Sequence, residues 1–89
     1  MEIKVIKEEE NYLELEVGGE DISVLNAIRE IALEDEDVEF ASCTQEHPEV
    51  GNLKLIVRTK SKDPAKVLAN AAKKLADQAK KFKQDIKKE

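Results

Sequence analysis

Hydrophobic and polar residues alternate in two short runs at the start of the chain. Ile3 and Val5 alternate with Lys4, and residues 11–17 place leucine or valine at every second position. Alternation with a period of two predicts half-buried β-strands. The polar segment 8–11 between the runs is short, so the two strands are expected to form a hairpin.

The period then becomes helical. Apolar residues at positions 24, 25, 28, 31 and 32 form one stripe of an α-helix. Asp21 and Ser23 are both candidate N-caps, because their oxygens can accept from unpaired amides of the first turn. The acidic run 34–37 predicts the end of the helix, where negative charge opposes the helix dipole. We interpret this run as a solvated helix end.

A second strand pair and a second helix follow. Residues 38–45 and 53–59 have the composition of strands, and the proline and Gly-Asn between them favour a turn. The pair Asp63-Pro64 is typical of a helix start, since proline fits the first helical position. The predicted fold is α+β, a two-layer β-β-α-β-β-α sandwich with a four-stranded sheet covered by two helices. We expect one domain over residues 1–89, with its long C-terminal helix at about 63–88.

This last helix is longer than the strands beneath it. About 25 residues rising 1.5 Å each give roughly 37 Å, whereas strands of six or seven residues span about 20–23 Å. The apolar stripe nevertheless continues to Phe82 and Ile86. A continuous row of exposed apolar residues indicates a protein interface. The alternative is a frayed tail whose apolar residues are incidental.

Charge is unevenly distributed along the chain. Residues 1–50 have a net charge of −13 and residues 51–89 a net charge of +8. The lysine-rich last helix leaves a small nucleic-acid-binding protein as an alternative function, since lysines can neutralise phosphates. Only three aromatic residues are present, which argues against a base-stacking platform for single strands. We expect no direct sequence-specific contact with nucleic acid.

Residues suited to catalysis or metal binding are few. His47 and Cys43 are the only histidine and cysteine, so neither has a companion at metal-ligand spacing. An enzyme on a similar two-layer fold would be expected to need several histidines. The sequence therefore predicts no catalytic residue, metal or cofactor. No apolar run approaches the ~20 residues that span a bilayer, and the acidic start is unlike a signal peptide, so we expect a cytoplasmic protein without membrane contact.

Several motifs together resemble one known family. Residues 23–29, Ser-Val-Leu-Asn-Ala-Ile-Arg, are similar to the "alpha motif" helix of RNA polymerase assembly subunits. Phe-Ala-Ser at 40–42, His-Pro at 47–48, Gly-Asn at 51–52 and Leu-Ile-Val-Arg-Thr at 55–59 follow in the family's order. The resemblance covers nearly the whole chain and is to archaeal RNA polymerase subunit L, an alpha amino-terminal-domain-like assembly subunit.

The resemblance implies a non-catalytic subunit of a DNA-directed RNA polymerase, a nucleotidyltransferase complex that carries out transcription. Such a subunit heterodimerises with the larger alpha-like subunit (D in the archaeal enzyme) and so forms the assembly platform for the large catalytic subunits. An isolated chain is also expected to be able to homodimerise through the same helices. The partner-binding residues expected from the motif and the overhanging helix are Leu25, Asn26, Ile28, Arg29, Leu75, Phe82 and Ile86.

Overall fold

The computed structural model describes residues 2–45 and 52–87. The elements are β1 (Glu2–Glu9), β2 (Tyr12–Gly18), α1 (Ile22–Leu33), β3 (Val38–Thr44), β4 (Leu53–Thr59) and α2 (Pro64–Lys87). The strands form one antiparallel sheet in the order β1-β2-β4-β3. The predicted α+β fold is thereby confirmed. His47 and the turn predicted around it lie outside the described residues.

The core lies between one face of the sheet and the two helices. β2 and β4 are the central strands, and their register places Leu15 opposite Leu55 and Val17 opposite Leu53. Because side chains alternate along a strand, these residues share the face that carries the helices. On the opposite face, Lys54 forms an ion pair with Glu14 at 3.3 Å. The alternation in the sequence thus corresponds to one buried and one polar face.

α1 begins at the cap that the sequence suggested. Of the two candidates, Asp21 is the N-cap, and its Oδ1 accepts from the Ser23 amide at 2.8 Å. The Ser23 hydroxyl donates to the same oxygen, so Ser23 helps to hold the Asp21 carboxylate in its capping position. The helix then buries one stripe, and its buried residues are Leu25, Ile28 and Ala32.

α2 packs chiefly against α1. Its start is fixed by Asp63, whose Oδ1 accepts from the Ala65 amide at 3.0 Å. Only its first third enters the core, through Pro64, Val67, Leu68 and Ala71. An ion pair of 2.9 Å between Lys74 and Glu34 joins α2 to the end of α1. Leu75 packs partly buried against the core, and residues 76–87 beyond it are exposed.

The acidic run after α1 has a structural role. Asp37 accepts from the backbone amides of Ser61 at 3.0 Å and Lys62 at 2.7 Å, and from the Ser61 hydroxyl at 2.9 Å. Asp35 pairs with the Lys62 ammonium at 2.8 Å. The interpretation of this run as a solvated helix end is wrong for these two residues. They tie the turn before β3 to the turn that leads into α2.

These bonds predict a pH dependence of stability. Amide donation from Lys62 and then Ser61 lowers the pKa of Asp37 from 3.8 to about 2. The unfolded chain therefore binds the proton more readily, and the stabilisation is present above about pH 4 and lost as pH falls towards 2. We expect D37N to lower the midpoint of thermal unfolding at pH 7, measured by circular dichroism. The difference between D37N and the wild type should shrink between pH 4 and pH 2. A pH-independent difference would contradict the assignment.

Candidate partner-binding surface

An apolar groove opens between β1 and α2 on the helix-bearing side of the sheet. Its volume is about 330 Å³. The floor is formed by core residues, namely Leu13, Leu15, Val17, Leu25, Ile28 and Leu55. The walls are formed by Ile3, Val5 and Glu8 of β1 and by Ala65, Leu68, Ala69 and Ala72 of α2. Glu8 is the one charged side chain of this lining, so the groove suits an apolar occupant.

The groove exists because neither of the two described helices covers β1. α1 packs over β3 and α2 packs against α1, while α2 touches β2 and β4 only lightly. The apolar residues of β1 are consequently left in solvent, with Ile3 58% and Val5 53% exposed. The expectation that β1 is half-buried is wrong, since every residue of the strand is exposed. The strand does have an apolar face, but no helix of the described residues covers it.

The alanines of α2 make the groove wide. Ala65, Ala69 and Ala72 lie on the flank of the helix that faces β1, and all three are exposed. A flank of small residues lets another backbone approach closely. Together with the branched side chains of Ile3 and Val5, this flank leaves room for a helix or strand of a partner protein.

The C-terminal half of α2 is a second exposed apolar feature. Leu75 is half-buried, and residues 76–87 are all exposed, which at 1.5 Å per residue is an overhang of about 18 Å. Phe82 is 68% and Ile86 57% exposed, as the comparison of helix and strand lengths predicts. The radius of gyration is 14.1 Å, against about 12 Å for a compact chain of this length. The overhang, the groove and Leu75 lie along one side of the same helix.

The structure divides the five apolar residues among those predicted from the sequence into three groups. Leu25 and Ile28 are buried in the chain's own core, at 2% and 8% exposure, and reach the groove only as its floor. Phe82 and Ile86 are exposed on the overhang, and Leu75 is half-buried between the two. The role of each as a partner contact stays a prediction.

The two polar members of the motif lie on α1. Asn26 and Arg29 are both half-buried. Among the described residues, neither has a hydrogen-bond or ion-pair partner. A guanidinium that is half-buried and unpaired is available to a carboxylate from another chain.

Sequence reasoning missed the groove itself. Ile3, Val5 and the α2 alanines gave a signal, since each belongs to an apolar pattern. The pattern shows which face of an element is apolar, and it does not show whether the same chain covers that face. Only the position of α2, displaced towards α1, reveals that these residues are left open.

The remaining chemistry-bearing groups of the described residues form no second site. Cys43 is half-buried, and burial raises the pKa of its thiol, which makes it a poor nucleophile at neutral pH. Within residues 2–45 and 52–87, no cluster of three or more His, Cys, Asp or Glu side chains is placed to hold a metal ion. Neither α1 nor α2, as described, has a stretch long and apolar enough to cross a bilayer.

The lysines of α2 lie on its exposed side, away from the core. Lys74 is paired with Glu34. Of the three aromatic residues, Phe82 alone lies on this helix, Phe40 lies on β3, and Tyr12 is on the opposite face of the sheet, where the cations of Lys7 and Arg58 are each 5.5 Å from its ring centre. A single aromatic ring beside the lysines is not the row of stacking rings that a single-strand-binding site would require.

This chain is similar in sequence to known polymerase subunits. Residues 12–85 match the family described as the RNA polymerase Rpb3/Rpb11 dimerisation domain. Identity to DNA-directed RNA polymerase subunit Rpo11 of Methanocella arvoryzae is 39% over 83 residues, covering 92% of this chain and 89% of the relative. Identity to subunit Rpo11 of Thermococcus onnurineus is 44% over 82 residues, covering 89% and 86%.

The fold is likewise similar to a solved structure. The crystal structure of DNA-directed RNA polymerase subunit L from Thermoplasma acidophilum matches with a TM-score of 0.87 at 28% sequence identity. The match covers 98% of this chain and 86% of that chain. The similarity therefore includes the long second helix as well as the sheet.

Proposed function

This chain belongs to the RNA polymerase Rpb3/Rpb11 dimerisation domain family, and from that premise we propose that it heterodimerises with the larger alpha-like subunit of the polymerase. The heterodimer is then the assembly platform for the large catalytic subunits in transcription. The chain is an Rpb11/L-like subunit of archaeal DNA-directed RNA polymerase and is non-catalytic.

The observation that supports the proposal is an apolar surface in two connected parts. The groove presents Ile3 and Val5, and the overhang presents Phe82 and Ile86, all more than half exposed. Burying an aliphatic or aromatic side chain of this size stabilises a complex by roughly 1.5–3 kcal/mol. Burying four such residues gives a favourable contribution that offsets the cost of association, in a chain whose own core is small.

The shape of the surface favours a partner of similar architecture. A helix from the partner fits the groove, using apolar residues spaced by three and four positions. The overhang, with Phe82 and Ile86, extends beyond the core of this chain, and we propose that it packs on the surface of the partner. Leu25 and Ile28 support the floor of the groove, while Leu75 continues its apolar side towards the overhang. Asn26 and Arg29 offer polar contacts at the flank of α1.

The proposal is tested by mixing the purified chain with the purified alpha-like subunit and measuring the mass of the product by size-exclusion chromatography with light scattering. We expect a one-to-one complex at micromolar concentration. The chain alone should incorporate no nucleotide on a DNA template. Separate elution of two monomers at these concentrations would overturn the proposal.

Phe82 allows the contribution of the overhang to be measured. Phe82→Ala should weaken the complex with the alpha-like subunit by roughly 10–100-fold in Kd, the equivalent of about 1.5–3 kcal/mol. The thermal unfolding midpoint of the isolated chain should not change, because the side chain is 68% exposed there. Lys80→Ala is the matched control, since Lys80 is exposed on the same helix away from the apolar stripe. Equal affinities of the two variants would remove Phe82 from the interface.

A second copy of the chain is a substitute for the alpha-like subunit. With groove and overhang both open, the isolated chain is able to pair with itself at high concentration, each copy placing its overhang on the other. Sedimentation equilibrium should show a weak dimer that disappears when the alpha-like subunit is added. A dimer that persists beside the alpha-like subunit would place self-association on a different surface.

A further inference from the structure

The sheet has two free edges that differ in how they are protected. β1 and β3 are the outer strands of the order β1-β2-β4-β3. Five of the eight residues of β1 are charged, and its register is interrupted between Val5 and Lys7. Charged side chains and a bulge are the usual means by which proteins prevent another strand from adding to an edge. The β1 edge is therefore guarded.

The β3 edge lacks these features along most of its length. Its single charged residue is Glu39, which lies at the register shift near the start of the strand. From Phe40 to Thr44 the strand has no charge, proline or glycine. Phe40 is 49% exposed and Thr44 is exposed. No other strand of the described chain pairs with the outer side of β3, so none of the described strands occupies its outward amides and carbonyls.

Arg29 supplies a charge beside this edge. The Ile31 side of α1 faces α2, since Ile31 and Val67 line the same cavity. Arg29 is two residues from Ile31 and therefore lies on the opposite flank of α1, and α1 packs on β3 as well as on α2. The positive charge of Arg29 also opposes the burial-induced rise in the pKa of the Cys43 thiol. The side chain is half-buried, and no hydrogen bond or ion pair joins it to the described residues. A guanidinium in this setting is best matched by a carboxylate.

We infer that β3 accepts an extended segment of another polymerase chain by strand addition, with a carboxylate of that segment paired to Arg29. Backbone hydrogen bonds along residues 40–44 give the affinity in this mode of binding, and the side chain opposite Arg29 gives the specificity. The inference rests on the proposed function, because it needs the chain to be in a multisubunit polymerase. The surface is distinct from the groove, because β3 and β1 are opposite edges of the sheet and the groove is lined by β1.

A second copy of this chain fits the edge poorly. Pairing β3 with β3 across a two-fold axis would place the Arg29 flanks of both copies at the same seam. Like charges close together oppose association, and here no carboxylate of the described residues pairs with either guanidinium. The charge therefore favours a different, acidic segment.

Hydrogen exchange tests the inference directly. The probes are the chain alone, its complex with the alpha-like subunit and the polymerase reconstituted from all its subunits. Amides of residues 40–44 that point outward should exchange rapidly in the isolated chain and at least ~100-fold more slowly in one of the two assemblies. The assembly in which protection first appears identifies the donor of the strand. Rapid exchange in all three samples would overturn strand addition, and so would protection that grows with concentration in the chain alone.

Ser42→Lys separates the edge from the groove, because it places a guarding charge on β3 at a residue outside the groove lining. Arg29→Glu reverses the local charge and is interpreted together with Ser42→Lys, since Arg29 is also a proposed contact of the alpha-like subunit. Each should lower the protection of residues 40–44 and reduce incorporation into the affected assembly by at least ~10-fold. Ile6→Lys, on the already guarded β1 edge, is the matched control and should have no effect. A normal heterodimer with an unprotected β3 would sink this inference alone, whereas the absence of a heterodimer would sink the proposed function.

Discussion

Replacing Val5 with glutamate is expected to abolish pairing with the alpha-like subunit while leaving the isolated chain folded. Val5 is 53% exposed in the chain alone, so a carboxylate there stays in water and costs the monomer little. In the complex the same carboxylate would be buried in a groove lined almost entirely by apolar side chains. Burying an unpaired charge costs several kcal/mol, and the Kd should rise by at least ~100-fold. Titration calorimetry measures the affinity, and circular dichroism checks the fold.

Ile6→Glu is the control for this change. Ile6 lies on the same strand and is 44% exposed, but it is not part of the groove lining. The same chemical change one residue away should therefore leave the affinity within about threefold of the wild type. If both variants bind the alpha-like subunit as tightly as the wild type, the partner does not occupy the groove. If both lose binding equally, the whole β1 strand, rather than the groove, forms the contact.

The sequence was sufficient to predict the elements because each has a strong local signal. Alternation in β2 and β4 reflects a sheet with one covered face, and the helical stripes of α1 and α2 reflect one buried side. Asp21 and Asp63 cap the helices through bonds to residues two positions away. Contacts of this range depend on the local chain, and reading them needs no knowledge of the tertiary structure.

The features that the sequence did not reveal depend on distant parts of the chain. Asp37 is bonded to Ser61 and Lys62, which are 24 and 25 residues away. Its acidic neighbours gave the stronger signal and suggested a solvated run. The groove depends on α2 lying against α1 and away from β1. An apolar pattern reports the preference of a face for burial, and the burying surface can belong to a different chain.

The overhang was predictable for a different reason. It follows from a comparison of two lengths, and helix rise and strand rise are nearly constant among proteins. The family resemblance reached the same surface by an independent route. Two of the residues assigned from the motif as partner contacts, Leu25 and Ile28, are only 2% and 8% exposed in the chain alone. Because they are buried, we expect them to support the groove from within the core. Substituting them should weaken binding indirectly, by lowering the free energy of unfolding of the chain.

Leu25→Ala tests this distinction and should have the largest effect on stability. Leu25 is 2% exposed and is among the largest fully buried side chains, so its truncation leaves a cavity beneath α1 and α2. Such changes cost about 2–5 kcal/mol, a large part of the ~5–15 kcal/mol that stabilises a small domain. Urea unfolding followed by circular dichroism should show a much lower midpoint with an unchanged slope. Leu33→Ala, at a 42% exposed position of the same helix, should cost less than about 1 kcal/mol.

The alpha-like subunit should restore much of what Leu25→Ala loses. A ligand that binds only the folded chain stabilises it by about 2.7 kcal/mol at a concentration of 100 times its Kd. The variant is therefore expected to unfold at a higher urea concentration in the presence of excess alpha-like subunit. Its apparent Kd should equal the wild-type Kd divided by the fraction of the variant that is folded. A weakened Kd in a variant that remains fully folded would show that Leu25 contacts the partner directly. In that case the floor of the groove, together with its walls, would have to be reached by the partner's side chains.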